Sequence, residues 1–130
     1  MIKFTYTILY VNDVEIAISF YEKAFGFKRK LIAPGNEYAE LNTGNTTLSF
    51  ASVQLAKTNL SNGFIESNKD NKPFGIEIGF TTNDVESVFQ NAIKQGAAAV
   101  EKAKTKPWGQ VVAYVKDLDG FLIEICTPMN

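Results

Sequence analysis

The chain carries one pattern twice. Ile8-Leu9-Tyr10-Val11-Asn12-Asp13-Val14-Glu15 returns in degenerate form as Ile78-Gly79-Phe80-Thr81-Thr82-Asn83-Asp84-Val85-Glu86, and the tetrad Asn-Asp-Val-Glu is identical at an offset of 71 positions. A unit this long, present twice in 130 residues, implies paired modules rather than a solenoid, which needs about three stacked repeats. A chain of this length buries enough apolar surface to fold without metal or disulfide staples. Two copies that cannot each close a core are expected to share one.

Periodicity parses each copy in the same order. Phe4, Tyr6, Ile8 and Tyr10 alternate with Thr5, Thr7, Leu9 and Val11, the signature of a strand with two unlike faces over residues 3–11. Asn12 or Asp13 then serves as N-cap to a helix whose apolar stripe is Val14, Ile16, Ala17, Phe20, Tyr21, Ala24 and Phe25, closed by Gly26. Strands are predicted at 27–32, 38–41 and 46–53, separated by the turns Ala33-Pro34-Gly35-Asn36 and Asn42-Thr43-Gly44-Asn45. Residues 59–72 read as a polar linker in which Gly63-Phe64-Ile65 is a short pairing or packing segment. The order repeats with a strand at 75–81, a helix at 84–95 stopped by Gly96, and strands at 99–103, 110–116 and 121–127. Asp117-Leu118-Asp119-Gly120 is a strong turn signal. The expected class is α+β, with module one at about 1–58 and module two at about 73–130 of a single domain. Each helix covers one sheet face and the other faces are left to build a cleft.

Charge and composition narrow the partners. A formal net charge of -1 gives no attraction to nucleic acid or to an anionic membrane, and no apolar run approaches the ~18 residues of a membrane span. The opening residues lead straight into strand alternation rather than a basic and then apolar leader, so a cytoplasmic setting is expected. The one cysteine, Cys126, cannot form an internal disulfide.

Val11-Asn12-Asp13-Val14 with Phe20-Tyr21 and Phe25-Gly26-Phe27, the tract Lys106-Pro107-Trp108-Gly109, and the run from Val115 through Asp117-Leu118-Asp119-Gly120 to Ile125 together resemble the vicinal oxygen chelate superfamily. That superfamily holds glyoxalase I, extradiol dioxygenases, fosfomycin-resistance enzymes and bleomycin-resistance binding proteins. The resemblance spans essentially the whole chain and implies two βαβββ modules forming a curled mixed sheet around a cleft, the glyoxalase/bleomycin resistance fold. The fold hosts both enzymes and simple binders, so it does not by itself select a chemistry. The resemblance also implies a position quartet on the first and last strand of each module. Seven residues before Asp13 stands Tyr6, and seven before Asp84 stands Glu77, where metal-holding members usually have histidine. Glu124 stands where they keep a glutamate, and Ser49 is its counterpart in module one. A homodimer is likewise implied.

Strand alternation alone puts Glu77 opposite Ile76 and Ile78, and Glu124 opposite Ile123 and Ile125, so both carboxylates look away from the helices. A carboxylate in such a place is costly to bury unless it is paired, protonated or bound to a cation. Glu77 and Glu124 therefore either converge, as a proton-transfer pair or a weak cation site, or each faces solvent or a lysine.

The chain has no histidine. That removes a two-histidine, one-carboxylate iron site and imidazole-ligated zinc or nickel, and with them extradiol dioxygenase chemistry. Two glutamates with Ser49 and Tyr6 would hold Mg²⁺ or Mn²⁺ loosely at best. Arg29, the only arginine, reads as a solvated surface cation rather than an anion site. Cys126 lacks a histidine or arginine to lower its pKa and reads as inert. What remains is aromatic: Tyr6, Tyr10, Tyr38 and Trp108 suit a flat organic ligand. The primary expectation is metal-independent binding of a small planar organic molecule, with Tyr6, Tyr10 and Trp108 stacking and Ser49, Glu77 and Glu124 engaging polar groups or positive charge, as in drug sequestration. The alternative is a glyoxalase-like lyase or isomerase using Glu77 and Glu124 as catalytic acid and base, with or without a weakly bound divalent cation. A purely structural or interaction module is the third.

Overall fold

The computed structural model describes residues 1–129 and divides into two compact units, Met1–Glu66 and a second beginning at Ser67. Unit one runs β1 (Tyr6–Val11), α1 (Val14–Phe25), β2 (Lys28–Ile32), β3 (Tyr38–Asn42), β4 (Thr47–Ser52) and α2 (Val53–Asn59). Its sheet has the order β1-β4-β3-β2, with β1 parallel to β4 and the other pairs antiparallel. Unit two runs β5 (Glu77–Thr81), α3 (Val85–Lys94), β6 (Ala98–Thr105), β7 (Val111–Lys116) and β8 (Leu122–Cys126), in the equivalent order β5-β8-β7-β6. The class is α+β, two mixed four-stranded sheets with helices, as the periodicity predicts.

Both long helices begin on the residue that the duplicated tetrad supplies. Asp13 accepts from Ile16 N at 2.9 Å and Asp84 from Ser87 N at 3.1 Å, each satisfying an amide that the first helical turn leaves unpaired. Gly26 ends α1 in the left-handed conformation at φ 75°. The buried face of α1 is Val14, Ala17, Ile18, Phe20, Tyr21 and Ala24, and the Tyr21 ring lies 5.1 Å from that of Phe50 on β4. This corrects one member of the predicted stripe. Ile16 is 57% exposed and Ile18 is fully buried, because a residue four positions beyond Val14 sits below it on the helix whereas one two positions on points away.

Arg29 stands at the surface as expected, and there it is paired: from β2 it donates to Glu22 and Glu15 of α1 at 2.7 and 3.0 Å, tying strand to helix. The helix α2 replaces the predicted end of a strand at Val53. Ser52 Oγ accepts from Leu55 N at 3.0 Å, and this cap turns the chain where a β-branched residue suggests extension. The predicted linker is not one piece either. Asn59 closes α2, Phe64 packs its ring 4.8 Å from Tyr10, and residues 67–72 belong to unit two. There Lys116 Nζ donates to the carbonyls of Lys69 and Asn71 at 2.6 and 3.1 Å, and Lys69 Nζ donates to Gly96 O at 2.8 Å. No helix among the described residues is long and apolar enough to cross a membrane.

Candidate functional site

In unit two, Ala113, Val115, Ile123 and Ile125 have no exposure and form the side of the sheet that holds the core with Val85, Phe89 and Ala92 of α3. Residues of opposite parity stand on the other face. Register pairs Tyr114 with Glu124 and Gly79 with Glu124, so Glu77, Glu124 and Tyr114 share that face around the bare position of Gly79. A methyl group at Gly79 would meet nothing within 4 Å, which leaves open space beside the carboxylates.

The two predicted glutamates do converge. Hydrogen bonding to Glu124, followed by burial and the negative charge of Glu124, raises the Glu77 pKa from 4.5 to about 7. Glu124 moves the other way. The bond from Glu77 holds it below the usual range, assisted by donors from Cys126 and Tyr114 and by the positive charge of Lys106. The Tyr114 hydroxyl lies 3.4 Å from Glu124 Oε1 and also hydrogen-bonds to Glu77. Burial first, then the two carboxylates, pushes this hydroxyl up to about 12, so it stays protonated. Cys126 is buried, and burial together with the bond to Glu124 raises its thiol to about 11. It is a hydrogen-bond donor here and not a nucleophile. The arrangement keeps one proton between two acids near neutrality, with Glu77 the exposed member.

Tyr6, Tyr10 and Ser49 stand in unit one, on the face of its sheet opposite α1. Tyr6 is 47% exposed and Ser49 has no exposure. The Tyr38 hydroxyl donates to Glu40 Oε2 at 2.7 Å and lies 3.1 Å from Ser49 Oγ. Trp108 sits in the turn between β6 and β7, 63% exposed. Its Nε1 donates to Gln110 Oε1 at 2.9 Å, and Gln110 in turn donates to Thr127 O at 2.8 Å. The indole borders a hollow of about 270 Å³ lined by Gly109, Gln110, Thr127, Pro128 and Met129, and neither glutamate lines it.

Sequence reasoning missed Tyr114 and Glu40. Each lies two positions from another residue of its strand, so parity assigns its face, but only the pairing register shows that Tyr114 meets Glu124 and Glu40 meets Ser49. Among the described residues no three acidic, cysteine or histidine side chains gather as a metal centre requires. A pair of carboxylates sharing a proton does not fit the three- or four-ligand centre that the family resemblance implies for metal-holding members.

Duplicated βαβββ units, each a mixed four-stranded sheet with its long helix on one face, define the class of fold. The sequence model of the Glyoxalase-like domain matches residues 4–130. Lactoylglutathione lyase GLX1 of Arabidopsis thaliana is 31% identical over 128 residues, 95% of this chain but 43% of that protein. The chain thus spans less than half the length of this curated relative. A glyoxalase-related enzyme from Fulvimarina pelagi superposes with a TM-score of 0.83 at 19% identity, covering 98% of this chain and 89% of the other. A protein from S. aureus superposes at 0.78 with 27% identity, covering 98% and 95%. The chain belongs to the glyoxalase-like family, within the vicinal oxygen chelate superfamily.

Proposed function

We propose that unit two performs proton-transfer chemistry of the lyase or isomerase type on a small carbonyl compound with an acidic C–H bond. The observation that carries this reading is the asymmetric carboxyl pair, in which the exposed member has a pKa near neutrality, where a general acid or base works best. Membership of the glyoxalase-like family and the likeness to a lactoylglutathione lyase support it.

Ionised Glu77 takes the proton from carbon, and the electron pair moves onto the carbonyl oxygen. The positive charge of Lys106, felt at Glu124, is available to offset that oxyanion. Glu77, now protonated, returns the proton to the former carbonyl carbon while the hydroxyl proton of the carbon that was deprotonated passes to the oxyanion, so that C–OH becomes C=O, C=O becomes C–OH and the net change is an isomerisation. Glu124 stays ionised and orients Glu77, held by Tyr114 and Cys126. The acids alone carry these steps, so the reading requires no metal.

The test is solvent deuterium exchange. The purified protein is incubated in D₂O with hemithioacetals of 2-oxoaldehydes and with α-hydroxyketones, and deuterium at the carbon beside the carbonyl is followed by NMR. Wild type is expected to exchange one of these, and Glu77→Gln to lose at least about 100-fold of the rate. No exchange by wild type, or equal exchange by the variant, sinks the reading. Sequestration of a planar molecule is the second reading, favoured by the exposed indole of Trp108 fixed beside its hollow. It gains if a planar ligand quenches Trp108 fluorescence stoichiometrically while exchange is absent.

A further inference from the structure

We infer that Asn62 is a site of spontaneous covalent modification, at which the chain forms a succinimide with Gly63 and passes to aspartate or isoaspartate, loosening the segment that packs on Tyr10.

Succinimide formation is easiest where the residue after an asparagine or aspartate has no Cβ to crowd the attacking nitrogen. The chain has two such steps, Asn62-Gly63 and Asp119-Gly120, and the fold treats them oppositely. Asp119 is 9% exposed, and Gly120 N donates to Asp117 O at 3.1 Å. Gly120 is wedged against the backbone of Asn68 and Lys69, and Lys116 Nζ holds that backbone through the carbonyls of Lys69 and Asn71. This step can react only when that part of unit two opens. Asn62 and Gly63 are exposed, and a Cβ on Gly63 would meet nothing within 4 Å. Their turn is closed by a single bond, from Gly63 N to Leu60 O at 2.9 Å. The carboxamides of Asn42 and Asn68 accept from Gly44 N and Asp70 N at 3.3 and 2.8 Å, whereas that of Asn62 has no such bond among the described residues.

The segment after the turn is held at two further points. The Phe64 ring lies 4.8 Å from that of Tyr10, and Glu66 meets Lys57 of α2 at 3.1 Å with both side chains about half exposed. An ion pair so exposed contributes little, so the turn opens locally while the sheet stays folded. Opening frees Gly63 N. After losing its proton to base, this nitrogen bonds to Cγ of Asn62, the bond from Cγ to the amide nitrogen breaks, and ammonia leaves. Water then adds to either carbonyl of the ring, giving aspartate or isoaspartate with no change of oxidation state. Both products add a negative charge, and isoaspartate also lengthens the main chain by one carbon between Leu60 and Phe64. The reach by which Phe64 meets Tyr10 is thereby altered. The inference does not depend on the proton-transfer reading of unit two.

The test is ageing of the full chain in mildly alkaline buffer. It is followed by mass spectrometry of the tryptic peptide between Lys57 and Lys69 and by methylation with a protein isoaspartate methyltransferase as probe. The mass gain of an amide becoming an acid is expected at Asn62, with Asn59 and Asn68 of the same peptide unchanged and no succinimide at Asp119. Asn62→Gln is expected to abolish the gain. One exposed turn bond shifts an equilibrium by no more than about tenfold, so native and urea-unfolded chains are expected to react within about tenfold of each other at Asn62. In the aged protein the ring resonances of Tyr10 and Phe64 are expected to move and those of Tyr114 to stay. No gain, a gain spread equally over Asn59, Asn62 and Asn68, native protection far beyond tenfold, or unmoved Tyr10 and Phe64 rings overturn the inference.

Discussion

Glu77 and Glu124 are the same residue type with opposite titration, and the cause is the distribution of donors around them. Cys126, Tyr114 and Lys106 all favour ionised Glu124, so the shared proton is left to Glu77. This has a sign for stability. The native pair keeps a proton up to about pH 7, whereas an unfolded Glu77 releases it near 4.5. The native state therefore binds more protons in that window, and the contribution of Glu77 to stability falls as pH rises through it. Glu77→Gln is expected to gain on wild type between pH 5 and 8 in urea unfolding, by about 1 kcal/mol or less because the side chain is exposed and screened. Parallel pH profiles would mean that no proton is shared. That the two acids leave the helix side was legible from strand parity alone. Their convergence was not, since it depends on which strands are neighbours, and β5 and β8 are far apart in the sequence.

At the scale of elements, turns and caps decide more than propensity does. The turn after β7 is closed by Asp117, whose Oδ1 accepts from Asp119 N and Phe121 N, both at 2.9 Å, and by Gly120 at φ 93°. A Cβ on Gly120 would lie 2.5 Å from both C and O of Asn68 and 2.9 Å from Lys69 N. These are backbone atoms that Lys116 and Lys69 hold in place, so they cannot yield cheaply. Gly120→Ala is expected to cost about 2–4 kcal/mol in urea unfolding. Gly44→Ala, at φ 101° with nothing within 4 Å, carries only the conformational penalty of about 1 kcal/mol. Equal costs would show that the contact with residues 68 and 69 is not made. The repeat made the strand order and both long helices readable, because each begins at an aspartate and ends near a glycine. The short α2 was hidden by Val53, whose branched side chain favours strand, and segment 67–72 by its polar composition, although Lys116 holds its backbone and its own Lys69 holds the Gly96 carbonyl.

Across the molecule, the duplication has been kept on one side of each sheet and released on the other. Leu41 faces Leu48 and Ala39 faces Phe50 in unit one, just as Val115 faces Ile123 and Ala113 faces Ile125 in unit two. These positions must fill a core, so large partners stay large and small ones small. On the opposite face Tyr6, Ser49 and Glu40 stand where unit two has Glu77, Glu124 and Tyr114, and packing sets no such constraint there. The chemistry of one unit is therefore not transferable to the other by matching a single residue. Ser49→Glu places the unit-two acid at its register equivalent, but there it is fully buried and directly across from Glu40, with a tyrosine for a neighbour and no cysteine at the position of Ala51. Two carboxylates in that setting cannot both ionise cheaply. The variant is expected to lose about 2–4 kcal/mol at pH 8. The folded pKa of the new pair lies above its unfolded value, so the loss should shrink as pH falls toward 5. Urea unfolding at both pH values checks this: a loss independent of pH would indicate steric overpacking at position 49, whereas a loss that grows with pH is the mark of charge.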